Sequence, residues 1–345
     1  MKKMLALLLA LVMVLSLAAC ASSQPAAAST ETAETTETTE PAAEESAEAP
    51  AESGKTYTVG VCQLVQHEAL DAATQGFVDA LKEELGDAVT VDVQNASGDS
   101  VNCGTIVNGF VSEGVDLIMA NATPALTAAV SATADIPILG TSITAYGVAL
   151  DIDDFNGTVG GNVSGTSDLA DLQAQAQMIL DWFPETKTVG LLFCSAEPNS
   201  RYQIDEVRKA LEAQGVTCEE FAFTDSNDVS SVTQKAADFS DVVYIPTDNT
   251  AASNTEAIAN VLIPAGVPAV CGEEGLCRGC GVATLSISYY DLGVTTGKMA
   301  VKILKGEADI STMPVEYTDA TPKYNASVCE QLGITPLDGY EAIDG

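Results

Sequence analysis

Thr56-Tyr57-Thr58-Val59-Gly60-Val61 returns 130 residues later as Thr186-Lys187-Thr188-Val189-Gly190-Leu191, and this echo decides the fold. Three further pairs keep the same order. Residues 77–86 (FVDALKEELG) match 206–215 (EVRKALEAQG), and Asp116-Leu117-Ile118-Met119 matches Asp241-Val242-Val243-Tyr244. Ile136-Pro137-Ile138-Leu139 matches Val267-Pro268-Ala269-Val270. All offsets fall between 125 and 131 residues, so the chain carries two copies of one unit.

Within that unit, the short runs at 57–61, 89–93, 115–119 and 136–139 are nearly all apolar, as strands buried on both faces are. Between them the period changes. Phe77, Leu81 and Leu85 recur four apart, and Gly86 follows as a helix stop. Strand–helix alternation predicts an α/β fold of two doubly wound parallel-sheet lobes joined by a hinge, with helices on both faces of each sheet. Ligands of such sheets bind beyond the carboxyl ends of the strands, so two facing lobes place their strand–helix loops around one cleft. The roughly 290 residues after 54 suit two cores better than one.

The N-terminus reads differently. Lys2 and Lys3 precede an apolar run at 4–17, and Leu17-Ala18-Ala19-Cys20 closes it. This is the layout of a signal peptide over 1–19, and its end resembles a bacterial lipobox. The resemblance implies cleavage before Cys20 and a diacylglycerol on its sulfur, whose two chains suffice for stable anchoring. Residues 20–54 are Ala, Glu, Thr, Ser and Pro with almost no large apolar side chain, the composition of a disordered tether. No other run approaches the ~20 apolar residues of a membrane helix, so lipid is the expected membrane contact. A net charge of −35 argues against nucleic acid and anionic lipid as partners and favours a self-repelling monomer.

Candidate binding residues lie just past the expected strands. Asn199-Ser200 follows the strand at 188–193 and precedes a helix expected over 202–213, whose unpaired N–H groups suit a carboxylate. Asp248-Asn249 follows the strand at 241–245, where a carboxylate suits an ammonium group; Glu273 stands in the same place after 267–271. In the first half Gln63, His67, Thr123, Thr141 and Ser142 take the corresponding loops. Each of these residues either meets ligand or merely caps a helix or closes a turn. Eight cysteines follow Cys20, and Cys271, Cys277 and Cys280 cluster. A closed zinc site needs four ligands and the one histidine, His67, is far off in sequence, so a disulfide or plain packing fits better than a metal. Nucleophile elbows, phosphate loops and complete dinucleotide fingerprints are absent from the sequence, which speaks against an enzyme and calls for no cofactor.

Four stretches resemble the ABC transporter substrate-binding lipoproteins of the type I periplasmic-binding-protein fold, a branch that includes aromatic amino acid binders. They are Gln63…His67…Leu70-Asp71, Gly161-Asn162-Val163-Ser164-Gly165, Glu197-Pro198-Asn199-Ser200 and residues 287–306. One departure is Ala145, where the pattern after Thr141-Ser142-Ile143-Thr144 leads us to expect an acidic residue. The resemblance implies a lipid-anchored clamshell that passes a small zwitterion, such as an aromatic amino acid, to an ABC permease and its ATPase. It adds Glu197 to the ligand-binding candidates, and Asp248 becomes the ammonium partner, with Asn199 and Ser200 holding the carboxylate. The alternatives are an ectodomain serving a membrane sensor, or an importer of a nucleoside or sugar. The implied lobes are 55–165 with 286–312 and 166–285 with 313–337, leaving 338–345 as a tail. Replacing Cys20 with Ser should release the protein from membrane fractions and leave ligand binding intact; retention on the membrane would contradict the lipid anchor.

Overall fold

The computed structural model describes residues 55–343, so the expected signal peptide, Cys20 and tether lie outside the described residues. The first half runs β1 (Tyr57–Gln63), α1 (Glu68–Leu85), β2 (Val89–Asn95), α2 (Ser100–Glu113), β3 (Leu117–Asn121) and α3 (Thr123–Ala132). It continues through β4 (Ile138–Ile143), the short α4 (Tyr146–Ala149) and β5 (Val163–Ser167). The second half repeats this as α5 (Leu172–Trp182), β6 (Thr188–Cys194), α6 (Pro198–Glu212), β7 (Thr217–Phe223), α7 (Val229–Phe239) and β8 (Val242–Ile245). After α8 (Asn249–Ala252) and α9 (Thr255–Ala265) come β9 (Ala269–Cys271), α10 (Glu274–Cys280), β10 (Ala283–Ser286) and α11 (Tyr289–Leu304). The chain closes with β11 (Glu316–Tyr317), β12 (Thr321–Tyr324), α12 (Ala326–Leu332) and β13 (Glu341–Ala342).

Two sheets result. The first has the order β11-β5-β4-β3-β1-β2 and the second β13-β12-β10-β9-β8-β6-β7. Without the late strands both read 5-4-3-1-2 within their own half, so the sequence echo is an echo of topology. Chemistry repeats as well. Asp116 Oδ2 accepts from the Thr58 amide (2.7 Å) and hydroxyl (3.1 Å), and Asp241 Oδ2 accepts from the Thr188 amide and hydroxyl, both at 2.9 Å. Both sheets are covered on both faces. Val59, Val61, Leu117 and Met119 point into one core of the first sheet, while Cys62, Ile118 and Ala120 point into the other. In the second sheet Leu191 and Phe193 pack on one side, Leu192 and Cys194 on the other. The eight cysteines are free thiols, seven buried and Cys218 half-buried, and Cys271, Cys277 and Cys280 are part of an apolar core.

Between the sheets the chain crosses at 168–171, at 287–288 and at 318–320. The last crossing is later than 313, because Glu316–Tyr317 first pairs in parallel with Thr166–Ser167 and fills the open edge of β5. The terminal stretch is more than a tail: Glu341–Ala342 pairs with Lys323–Tyr324 at the edge of the second sheet. α11 returns to the first sheet and lies on α1 with almost no side chain between them. A Cβ on Gly76 would overlap the Tyr290 carbonyl, and one on Gly293 the Ala73 carbonyl. This close approach fixes where α11 starts, and hence where Tyr289 sits.

Candidate ligand-binding site

A narrow cavity with free room of only about 10 Å³, space for about one water molecule, lies where the two halves meet, so a larger ligand needs the halves to part. His67 comes to it from the β1–α1 loop, Ser142 and Thr144 from the end of β4, and Asp168 from the first crossing. Tyr289 opens α11; Asn199 stands in the first turn of α6; Thr247, Asp248 and Asn249 follow β8; Glu273 follows β9. Leu70 and Ala252 complete the wall. Three contacts join the halves in and beside it. His67 Nε2 and Asn249 Oδ1 are 3.2 Å apart, the Thr144 and Thr247 hydroxyls 3.5 Å, and Arg278 Nε and Glu68 Oε1 3.0 Å. The cleft is shut.

Four polar atoms on this wall are buried without a hydrogen-bond partner: His67 Nδ1, Ser142 Oγ, Asp168 Oδ1 and Asn199 Oδ1. Their neighbours hold each in place. Asn199 Nδ2 donates to the Thr247 carbonyl at 3.0 Å, which turns Oδ1 toward the cavity. Asp168 Oδ2 accepts from the Tyr289 hydroxyl at 2.9 Å, the Thr144 hydroxyl stands beside the carboxyl, and Oδ1 keeps no bond of full geometry. Ser142 has φ 56°, a left-handed backbone unusual for serine, at the register shift between β4 and β5. Burial of such atoms without partners costs about 1–3 kcal/mol each, so the wall is shaped for something that bonds to it.

Six of the eleven sequence candidates border the cavity: His67, Ser142, Asn199, Asp248, Asn249 and Glu273. The other five do structural work. Gln63 ties Val65 and Asp71 to Thr74. Thr141 bonds Thr166 and Thr296, which seats α11 on the first sheet. Thr123 is a buried residue opening α3. Glu197 accepts from the amides and side chains of Asn249 and Thr250, and Ser200 bonds Asn199 and Asp248. Among the six, Asp248 is already engaged: Oδ1 caps α8 at the Ala251 amide (2.8 Å) and Oδ2 accepts from the Cys194 amide (2.6 Å). Glu273 likewise caps α10 at Gly275 and Leu276.

Asp168 was not among the candidates. Its strand, Val-Ser-Gly-Thr-Ser, is buried but polar, so it lacks the apolar signature that marked the others. The rule that picked Asp248, a carboxylate just past a strand, would have found Asp168 had β5 been recognised.

Residues 58–339 match the family described as ABC transporter substrate binding protein. The chain belongs to this family. A tyrosine-binding protein of Clostridioides difficile is 32% identical over 276 residues, spanning 78% of this chain and 79% of that protein. Among solved structures, an ABC domain in complex with L-Trp from Streptococcus pneumonia is 32% identical, with a TM-score of 0.79, covering 84% of this chain and all of that one. A ligand-free, open substrate-binding protein with adhesive properties from Clostridium difficile is 33% identical over 84% of this chain and 99% of its own, with a TM-score of 0.64. At nearly equal identity the shut cleft follows the liganded structure more closely than the open one. The family binds solutes and is not an enzyme family. Substrate-binding proteins of ABC transporters act outside the cytoplasm, and no helix among the described residues is long and apolar enough to cross a membrane.

The cavity wall has three carboxyl groups and neither lysine nor arginine. Burial, reinforced by the Glu197 charge, pushes the Asp248 carboxyl up to about 8, and burial pushes Glu273 up to about 7. The folded chain therefore keeps protons that the unfolded chain gives up near pH 4, and stability of the ligand-free protein falls as pH rises from about 4 to 8. His67, whose burial lowers its pKa, opposes this by one proton below its ordinary value. Thermal unfolding of ligand-free protein should show a melting temperature a few degrees lower at pH 8 than at pH 6.5. An unchanged or higher value at pH 8 would mean these carboxyls are ionised in the fold.

Proposed function

We propose that this chain is the lipid-anchored solute receptor of an ABC importer and that its ligand is an aromatic L-amino acid. The observation that carries the reading is the set of four unpartnered polar atoms on one shut cavity whose wall bears carboxyls and no fixed positive charge. An ammonium group entering such a cavity must exchange water for acceptors. Asp168 Oδ1 and Asn199 Oδ1 supply them; burial raises the Asp168 pKa, and an ammonium beside it draws the carboxyl back to its ionised form. The Ser142 hydroxyl is a donor for the ligand carboxylate. Leu70, Ala252 and the Tyr289 ring offer apolar surface for a side chain. The printed ligands of the two relatives, tyrosine and L-Trp, support the aromatic class.

Asp168 thereby replaces Asp248 as the ammonium partner, and Asn199 moves from the carboxylate end to the ammonium end. Asp248 supports from behind by capping α8, with Glu197 holding the next two residues. Function is then binding coupled to closure about the crossings. Asp168 lies on the first crossing and its bond to Tyr289 reaches the end of the second, so an ammonium on Asp168 acts where the lobes are joined.

Charge-assisted bonds are worth about 1.5–3 kcal/mol, roughly ten- to a hundredfold in affinity. Asp168→Asn keeps an acceptor for Tyr289 and should weaken L-tyrosine or L-tryptophan binding by that factor in calorimetry, while Glu212→Ala on the surface changes nothing. Wild-type affinity in a folded Asp168→Asn protein would contradict the assignment.

A further inference from the structure

His67 is not needed for the ammonium and carboxylate contacts just described, yet its Nδ1 is buried and has no partner. The tautomer is fixed by its neighbours. Asn249 Nδ2 donates to Glu197 Oε2 at 2.7 Å, so Asn249 turns its Oδ1 to the imidazole and must receive the proton on Nε2. That leaves a bare lone pair on Nδ1. Burial favours the neutral ring, with the Asn249 bond and the Glu197 and Asp71 charges pulling the other way.

The position of this lone pair matters. Asp168 and Ser142 come from the first-crossing side, and Asn199 is linked to them through Thr247, which touches Thr144. His67 comes from the β1–α1 loop and is tied to Asn249, which shares Glu197 Oε2 with Asn199. With Ala252 and Glu273, His67 borders both the narrow cavity and a second, more open space of about 350 Å³ beside α10. It lines the same cavity as Asp168 and Asn199, and in our reading a ligand whose head group meets those two turns its side chain to the histidine. A lone acceptor there selects a side chain that carries a donor.

We propose that His67 Nδ1 accepts a hydrogen bond from the ring of the ligand, a phenol O–H or an indole N–H, and so makes the cleft prefer tyrosine or tryptophan to phenylalanine. This rests on the reading of the ligand as an aromatic amino acid. A ligand without a ring donor leaves the buried lone pair unpaired, and sites built around such a bond discriminate strongly against analogues that lack it.

Calorimetry with L-tyrosine, L-tryptophan and L-phenylalanine tests the proposal on wild-type protein and His67→Leu. Wild type should bind at least one donor-bearing amino acid about tenfold or more tighter than phenylalanine, and His67→Leu should erase the gap chiefly by weakening that ligand. Equal wild-type affinities, or a gap that survives His67→Leu, would overturn the role of His67 and leave the aromatic reading standing. Failure of all three to bind wild type would overturn that reading itself. Should the variant not fold, the wild type suffices, because His67 is the chain's one histidine and gives a single pair of ring resonances in a ¹⁵N-histidine spectrum. Nδ1 should be unprotonated in the free protein and move upfield on adding the preferred ligand but not on adding phenylalanine. A protonated Nδ1, or no difference between ligands, contradicts the proposal.

Discussion

A cleft that shuts over polar atoms must give every one of them a partner, and this requirement orders the site. Most of the buried polar groups around the cavity meet it internally. Asp248 and Glu273 are satisfied by backbone amides, Glu197 by Asn249 and Thr250, and Thr141 by two other threonines. Four atoms do not, and all four belong to residues that line the same cavity. Left without any partner on closing, such atoms cost about 1–3 kcal/mol each, and in our account ligand supplies the partners. Closure and binding are coupled through desolvation, without need of a separate trigger.

The duplicated architecture is what brings these atoms together. Each half presents its loops at the carboxyl ends of its parallel strands, and the shared order of the two sheets makes the loop sets face one another. The crossings add a third source of side chains. Asp168 and Tyr289 belong to them, and their bond links the segments that must bend when the lobes open. The glycine-lined contact between α1 and α11 keeps the start of α11, and with it the Tyr289 hydroxyl, in register with the first sheet.

Much of this was legible in the residues. Apolar strands announced themselves: β1 through β4, and β6, β8 and β9 in the second half, lie within a few residues of the expected runs, whereas β7, with Glu219 and Glu220 in it, was not among them. The helix expected from Tyr202 begins at Pro198 instead, because a proline in a first turn starts helices and gives no apolar period to detect. The site was harder. A carboxylate past a strand end looks the same whether it caps a helix, as Asp248 does, or faces a ligand, as Asp168 does in our account. What separates them is the count of partners, which depends on atoms from Cys194, Tyr289 and Thr144 that are distant in sequence. Asp168 was missed because β5 is buried among hydroxyls, not apolar side chains, and such a strand has no hydrophobic period.

The central claim is that the cavity closes on an amino acid whose ammonium sits between Asp168 and Asn199. A crystal structure of the protein grown with L-tyrosine tests it most directly. Our account predicts the ligand nitrogen within hydrogen-bond distance of Asp168 Oδ1 and Asn199 Oδ1. An ammonium seated on Asp248, or a shut cavity holding only water, would contradict it.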